Sequence, residues 1–322
     1  MDSFCRPAII LLLLFLYPIS SATSFEGPFQ VKNLYPVILH ADQPYLEKAA
    51  VENSMSYSLS HSSTYTVQES EDWVIHLDME ITEINFRYKR IIKDSLELGI
   101  DIPVLIIGGG FMDGFLEDYH EAVGFGDYGR SQRPNNEFLY EVRKDGDLII
   151  EGKSGTRLGD VRIALKAPLI SSDVLNVSIK GDVEIPVSSA KRGFSNGSLD
   201  AGASMLVDRS ITEKIRTYWN FGIVFPGDLR GHEKIDLKNF VYGGAAIEVD
   251  TGGGIHLMTQ FQGQSSIYPE TDLQAVDREA YLIVLGGRYR KEGKSIELSL
   301  TEDLSTSGAP DFIFNLTYKR II

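Results

Sequence analysis

The chain has a single cysteine, Cys5, among 322 residues. It precedes the apolar run Ala8–Tyr17 (AIILLLLFLY), with Arg6 before that run and the small residues Ser20 and Ala22 after it. That layout is a secretory signal peptide, and cleavage after Ala22 is expected to remove the cysteine with residues 1–22. The exported chain then has no disulfide, no thiol nucleophile and no thiolate metal site. Beyond residue 22 there is also no apolar run of about 20 residues, the length a transmembrane helix needs. A crossing of the membrane would have to be made by strands. Excess basic charge is missing too. Lys and Arg number 31 against 45 Asp and Glu, a net charge of −14, so no nucleic acid is expected as a partner.

What the chain does have is period-two alternation. In the last run, Asp311–Ile322, the residues Phe312, Phe314, Leu316 and Tyr318 fall on one face. Ile313, Asn315, Thr317 and Lys319 fall on the other, as in a strand with one apolar and one wet side. Similar runs lie at 52–62, 96–102, 158–167, 174–185, 198–207, 215–225, 239–249, 254–262, 280–290 and 294–302. Between 73 and 88 the apolar phase switches from Trp73, Ile75, Leu77, Met79 and Ile81 to Ile84, Phe86 and Tyr88. Thr82-Glu83 has no turn chemistry, so a bulge in one long strand is expected there. The total is about 12 strands, most of them about 9–12 residues long, which suits a transmembrane barrel. Pro103, Pro168, Pro186 and Pro226 are expected at strand ends, where a missing N–H costs least.

The connections sort by length. Short ones at 93–95, 171–173, 209–213, 251–253 and 291–293 alternate with longer ones at 105–157, 187–197, 226–238 and 263–279. Two moderate links, 63–72 and 303–309, complete the longer set. Tight turns on one side and long loops on the other mark an antiparallel up-and-down transmembrane β-barrel. A soluble barrel binding an apolar ligand also alternates, with its apolar face inside. The signal peptide, strand number and loop sorting favour the membrane form. The expected organisation is a signal peptide at 1–22, an extended segment and candidate plug at 23–51, and the barrel at 52–322. The 23–51 segment carries prolines and aromatics rather than alternation.

The insertion at 105–157 breaks the pattern. After Gly108-Gly109-Gly110, the apolar residues Met112, Phe115, Leu116, Tyr119 and Val123 recur at helical spacing. Asp113, Glu117 and His120 share the opposite face of this short amphipathic helix. A lone helix of about 12 residues is marginal, so it is expected to dock into the barrel mouth or against the N-terminal segment. Phe138–Ile150 should form a hairpin around Lys144–Asp147 (KDGD). A phosphate site at the glycines is rejected, because acids fill the following turn and no Lys-Ser or Lys-Thr is present. A metal site from Asp113, Glu117 and His120 has one histidine only and reads as a solvated face. Phe194-Ser195-Asn196-Gly197 echoes part of an outer-membrane phospholipase motif, but Gly193 stands where its histidine belongs. No enzyme activity and no cofactor are expected.

The polar phase of the strands supplies the candidate lumen and ligand residues Asp78, Glu80, Arg87, Arg162, Lys166 and His256, joined by Asp113, Glu117 and His120 of the helix. Lys180, Asp182, Glu184, Glu248, Glu297 and Lys319 share that phase and should pair across the barrel. Trp73, Ile75, Leu77, Trp219, Phe221, Ile223, Phe312 and Phe314 are expected to face lipid.

Three stretches, Gly27–Pro36 (GPFQVKNLYP), Gly108–Phe125 (GGGFMDGFLEDYHEAVGF) and Ala309–Arg320 (APDFIFNLTYKR), resemble an uncharacterised family of predicted bacterial outer-membrane proteins, the domain of unknown function thirty-one eighty-seven. The resemblance implies a barrel in the outer membrane of a Gram-negative cell and brings no catalytic residues. Outer-membrane lipids and, through the last strand, the barrel-assembly machinery are the implied partners. The chain ends on Ile321-Ile322 where such strands usually end on an aromatic. The expected function is a narrow pore or small-solute transport or binding protein, closed by the long loop. The alternatives are a structural barrel that transports nothing and a soluble periplasmic barrel.

Overall fold

The computed structural model describes residues 25–39, 41–116, 118, 134–305 and 307–322. The signal-peptide reading, and Glu117 and His120 of the helix, lie outside the described residues. In chain order the strands are β1 (Ser54–Glu69), β2 (Trp73–Ile92), β3 (Leu96–Gly108), β4 (Leu139–Lys144), β5 (Asp147–Glu151), β6 (Gly155–Leu158), β7 (Val161–Ser171), β8 (Leu175–Ile185), β9 (Asp200–Thr212), β10 (Ile215–Phe225), β11 (Leu229–Arg230), β12 (Lys234–Ile235), β13 (Phe240–Gly252), β14 (Ile255–Gln264), β15 (Ala280–Lys291), β16 (Lys294–Asp303) and β17 (Phe312–Ile321).

Twelve of these close into one antiparallel barrel. Each pairs with its neighbour in sequence, apart from the inserted β4–β6 and the small β11–β12 ribbon. Closure comes from β17 lying beside β1, from Ser54↔Ile321 to Ser63↔Phe312. No barrel strand keeps a free edge, which is what lipid demands. Short turns gather at one end and the long connections at the other. The expected 63–72 link is mostly strand, because β1 and β2 run on past the barrel wall and pair as far as Glu69↔Val74. In the insertion, β4 and β5 form the predicted hairpin, and Asp145 and Gly146 take the positive φ values (53° and 84°) that a type I′ turn needs.

Pro103 sits inside β3, not at its end. Its neighbours on one side change there from β7, paired up to Asp101, to β6, paired from Val104. Its carbonyl, on that side, accepts a hydrogen bond from Gly159 N. The missing N–H therefore falls in the gap between two partners. Pro168 likewise lies at a register shift of β7.

The faces sort in the order a membrane requires. Trp219, Phe221, Leu285 and Leu316 are exposed on the outside, whereas Arg87, Arg162, Lys180, Glu248 and Arg288 are buried inside. This is the reverse of a soluble barrel, which puts its apolar face inward.

Two expectations about β2 are corrected. It has no bulge at Thr82, since its register against β1 is unbroken from Ser54↔Lys89 to Glu69↔Val74. Trp73, Ile75, Leu77, Met79 and Ile81 therefore point inward, on the same side as Glu83, Asn85, Arg87 and Lys89, and all five are at most 2 % exposed. They belong to a large apolar cluster that fills the long-loop end, with Tyr35, Val37 and Ile38 of the N-terminal segment and Tyr268 and Leu273 of the loops. The strand is straight; what changes along it is the filling it faces. Consequently Asp78 and Glu80, expected in the lumen, lie on the outer face. Trp219 and Phe221 do face outward. Phe312 does too by its alternation with the inward Ile313, but it is 9 % exposed because Met112 and Leu116 cover it.

These facings predict opposite mutational behaviour. Phe221→Arg puts a cation against lipid and costs about 2–4 kcal/mol at mid-membrane depth. It should reduce the heat-modifiable folded band on a gel. Leu77→Ala should assemble but lose about 2–5 kcal/mol in urea unfolding from vesicles, as a buried truncation rather than a lipid-facing one.

Candidate functional site: the barrel interior

The described residues of the segment 25–53 pair with no strand and yet are almost wholly buried. They enter at the short-turn end, rise to a turn at Tyr35–Ala41 and come back down to β1. Backbone groups of such a segment must be satisfied by something other than a ladder. Pro28, Pro36 and Pro44 remove three donors outright. Inward side chains serve many of the rest.

On the rising limb, Arg288 Nη2 donates to Gly27 O at 2.7 Å, Gln260 Nε2 to Phe29 O at 3.1 Å and Arg87 Nη2 to Gln30 O at 3.1 Å. On the returning limb, Asn220 both accepts from Glu47 N (2.8 Å) and donates to Glu47 O (2.9 Å). Asp208 accepts from Ala49 N and Ala50 N, and Ser178 donates to Ala49 O. The wall is also shaped to this segment. A Cβ added at Gly286 would lie 2.3 Å from Leu298 O of the next strand and 2.8 Å from the Phe29 ring, and one at Gly244 would lie 2.5 Å from Phe261 O and 2.8 Å from a Leu46 methyl.

Charges are paired in the same way. Glu47 lies between Lys89 Nζ at 2.5 Å and Lys180 Nζ at 2.6 Å. Lys32 meets Glu83 at 3.2 Å, Glu52 meets Lys319 at 2.8 Å, and Glu26 meets Arg290 at 2.9 Å. Burial opposes ionisation of the Glu47 carboxyl, but Lys180, Lys89, Lys166 and Arg162 together outweigh it and hold the group well below the usual carboxylate range. Asp42 behaves differently. It shares Arg162 with Asp182 (3.3 and 3.0 Å). Burial first, and the Asp182 charge in addition, push the Asp42 carboxyl up to about 7 against the pull of Arg162. Beside Tyr45, Glu47 and Lys180 there remains a cavity of about 10 Å³, room for about one water.

Of the residues singled out from sequence, Arg87, Arg162, Lys166 and His256 do face inward. Arg87 caps the Tyr45 ring at 4.6 Å and donates to Ser58 Oγ. Lys166 meets Glu97 at 2.9 Å and the carbonyls of Lys48 and Ala50. His256 Nδ1 lies 3.0 Å from Glu248 and its ring meets Phe25 edge-on. Their partners in the N-terminal segment, Tyr45 for Arg87, Asp42 for Arg162, the Lys48 and Ala50 carbonyls for Lys166 and Phe25 for His256, were missed. So were Glu26, Glu47 and Glu52, which pair with Arg290, with Lys89 and Lys180, and with Lys319. The signal for them was present: acids interspersed with prolines and aromatics in a stretch that alternation could not assign.

Asp78, Glu80 and Asp113 sit elsewhere. Glu80 lies on the outer face of β2, where a bare carboxylate against lipid would be costly. The chain after β3 folds back over it. Phe111 N donates to Glu80 Oε1 at 2.8 Å, Met112 N donates to the same oxygen, and His61 Nε2 lies 2.9 Å from Oε2. Phe111 stacks on the His61 ring. The glycine-rich turn thus cradles an anion, and the anion is the protein's own. Asp113 is 3 % exposed and accepts from Asn136 N at 2.6 Å, bracing the same covering. The expected docking of the helix into the mouth is corrected: its described part, 113–116 and the preceding Met112, packs on Phe312 and Phe314 outside the wall.

The Ser-Asn-Gly stretch is a buried turn. Ser195 Oγ donates to Asp160 Oδ2 at 2.6 Å, and Asn196 Nδ2 donates to Asp200 Oδ1 at 2.7 Å. Burial raises the Asp160 carboxyl above its usual range. Among the described residues no group of three or more His, Cys, Asp or Glu is arranged to hold a metal ion.

A twelve-stranded cylinder, apolar outside and charged inside, with turns and loops sorted to opposite ends, is a transmembrane β-barrel of the outer-membrane channel fold. The COG4313 outer membrane channel from Pseudomonas putida F1 matches it with a TM-score of 0.55 at 12 % identity, over 84 % of this chain and 96 % of that one. The NanC porin matches with a TM-score of 0.50 at 6 % identity, over 83 % of this chain and 100 % of the other. At these identities the likeness is one of fold. A search of curated proteins finds no match. The chain belongs to the family described as Protein of unknown function (DUF3187), which it matches over residues 9–321.

Two predictions follow from this geometry. Gly110 has φ +74°, and a Cβ there would fall 1.8 Å from the Glu80 carboxyl carbon. Gly110→Ala should leave the barrel assembled but strip the amides of Phe111 and Met112 of their hydrogen-exchange protection, by about 1–3 kcal/mol.

The second concerns pH. Asp42 is raised from its ordinary 3.8 to about 7 in place. Its proton therefore favours the docked limb, an effect complete below about pH 4 and lost as pH rises through 7. Arg162, Asp182, Glu184 and Asp200 face it. Protection factors near Asp42 should fall between about pH 4 and 7, and Asp42→Asn should lessen that fall.

Proposed function

We propose that the protein is an outer-membrane channel for a small solute, held shut by residues 25–53 as an internal plug. The observation that carries this reading is the filling of the lumen by a segment whose attachments are mainly hydrogen bonds and ion pairs. Polar attachments of that kind exchange with water and ions at modest net cost, so a polar interior filled this way is one that can be vacated. The wall glycines opposite Phe29 and Leu46 support a fitted plug rather than a stray terminus. The two solved barrels named above are a channel and a porin. The covering of Glu80 by residues 111–116 is, on this reading, a seal on the outer wall and not the gate.

A second reading, a structural barrel that never opens, is favoured by one observation: the apolar cluster around Trp73, Ile75 and Tyr268 closes the long-loop end. Planar-bilayer recording separates the two. The intact chain should show little steady conductance, and removal of residues 25–50 should raise it several-fold. An unchanged current in the shortened, heat-modifiable protein would favour the structural barrel.

A further inference from the structure

The interior holds one cluster whose chemistry is more specific than general pairing. Arg87 and Lys89 on β2, Arg162 and Lys166 on β7 and Lys180 on β8 are all buried and all point to one side of the lumen. Three wall carboxylates lie among them: Glu97 beside Lys166, Asp101 beside Arg87, and Asp182 beside Arg162. Glu83 and Glu184 lie on the same strands but turn to Lys32 and to the Asp42 carboxyl. The excess of cations is therefore local to Lys89 and Lys180, and it is met from the N-terminal segment, chiefly by Glu47. Lys89 has Glu47 as its close ion-pair partner, and Lys180 holds Glu47 at 2.6 Å but Asp182 only at 3.7 Å.

The segment offers more than a carboxylate. Two residues before Glu47, the Tyr45 ring lies under Arg87 at 4.6 Å, Arg162 at 5.2 Å and Lys180 at 5.7 Å. Its hydroxyl donates to Asp101 Oδ2 at 2.8 Å. Lys180 therefore touches both an aromatic face and a carboxylate. A planar ring accepts cations over its face, and a carboxylate takes two ammonium donors. The cavity left beside this pair holds about one water, so the position is filled by the segment itself.

We propose that this cationic wall is a binding site for a small aromatic carboxylate, with Tyr45 and Glu47 of the plug occupying the place of its ring and its acid group. The proposal rests on the channel reading: solute and plug compete for the same lysines, so a bound solute would favour the displaced limb. A cation of similar shape would be excluded, since it would face Lys89 and Lys180, whose close carboxylate is Glu47 itself.

The test uses the full chain folded in detergent, so that it does not depend on whether the plug moves. Tyr45→Ala with Glu47→Ala empties the two side-chain positions and leaves the segment in place. Calorimetric titration with para-hydroxyphenylpropionate should show binding to this variant at least about tenfold tighter than to the intact protein. Adding Lys89→Gln and Lys180→Gln should remove it. Tyramine, with the same ring and a positive charge, should not bind, and acetate should bind more weakly than the aromatic acid. Equal binding of tyramine, or no binding of the acid to the emptied variant, overturns the proposal while leaving the conductance test of the plug standing. Should the double variant fail to fold, Glu47→Ala alone is heated with and without acetate. Restored thermal stability with acetate, and not with ammonium, is the expected result; no restoration overturns the proposal.

Discussion

A charge enclosed in a lipid-embedded cylinder must find a counter-charge, and the interior of this barrel is built around that requirement. The strands alternate because lipid accepts only apolar side chains, so every second residue is driven inward whatever its charge. Strand pairing alone does not neutralise the result. Lys89 and Lys180 stand on β2 and β8, separated by β3 and β7, and one carboxylate, Glu47, satisfies both. Removing one partner while the interior stays dry costs about 3–5 kcal/mol, because the remaining charge is left stranded without water. The N-terminal segment is thus part of the electrostatic solution of the barrel and not a passenger within it. The same constraint explains the outer wall. Glu80 points the wrong way for a lumen carboxylate, and the chain after β3 bends at Gly110 to cover it with two amides.

Most of the barrel was legible because its grammar is local. Period-two alternation, a turn such as Lys144–Asp147 and the sorting of loop lengths are each visible within a dozen residues, and β10 is found at the expected 215–225. β2 shows where that grammar stops. Trp73, Ile75 and Leu77 are expected to face lipid because apolar residues on a barrel strand usually do. Yet β2 has 20 residues, about twice what crosses a bilayer. Half of it must lie beyond the membrane, where the inside of the barrel is dry and the outside is wet. His76 and Asp78 on the opposite phase carried that message, since charged residues do not face lipid. A fixed phase with a changing environment was read as a changing phase with a fixed environment.

The candidate site was half legible for a related reason. Arg87, Arg162, Lys166 and His256 could be placed inward by phase alone. Their partners could not, because pairing across a closed space is not a property of spacing. Glu47 is 42 residues from Lys89 and 133 from Lys180. Asp113 was visible as an acid on a helical face, but the partner that uses it, the amide of Asn136, stands 23 residues further along the chain at a place that no periodicity marks.

The interior is divided along its length, and the division limits how it can open. At the long-loop end the turn of the segment places Tyr35, Val37, Ile38 and Ala41 in the apolar cluster with Trp73, Ile75 and Leu77. Water cannot replace those contacts without exposing apolar surface, at roughly 25 cal/mol for each Å². At the short-turn end Glu52 is tied to Lys319, and Ile322 N donates to Asn53 O, so the start of β1 is fixed as well. Between these two anchors the returning limb, Asp42 to Ala50, is held by Asp200, Asp101, Asn220, Asp208, Lys89 and Lys180 through polar bonds alone, with Leu46 as its main apolar contact. A limb fixed at both ends and polar between them bows aside more readily than the whole segment leaves. On the channel reading, a passage so formed would run past Lys89, Lys166 and Lys180 of β2, β7 and β8 and be bounded on its other side by the rising limb. It would be narrow, lined with Lys and Arg and the wall carboxylates beside them, and would still meet the apolar cluster at the long-loop end.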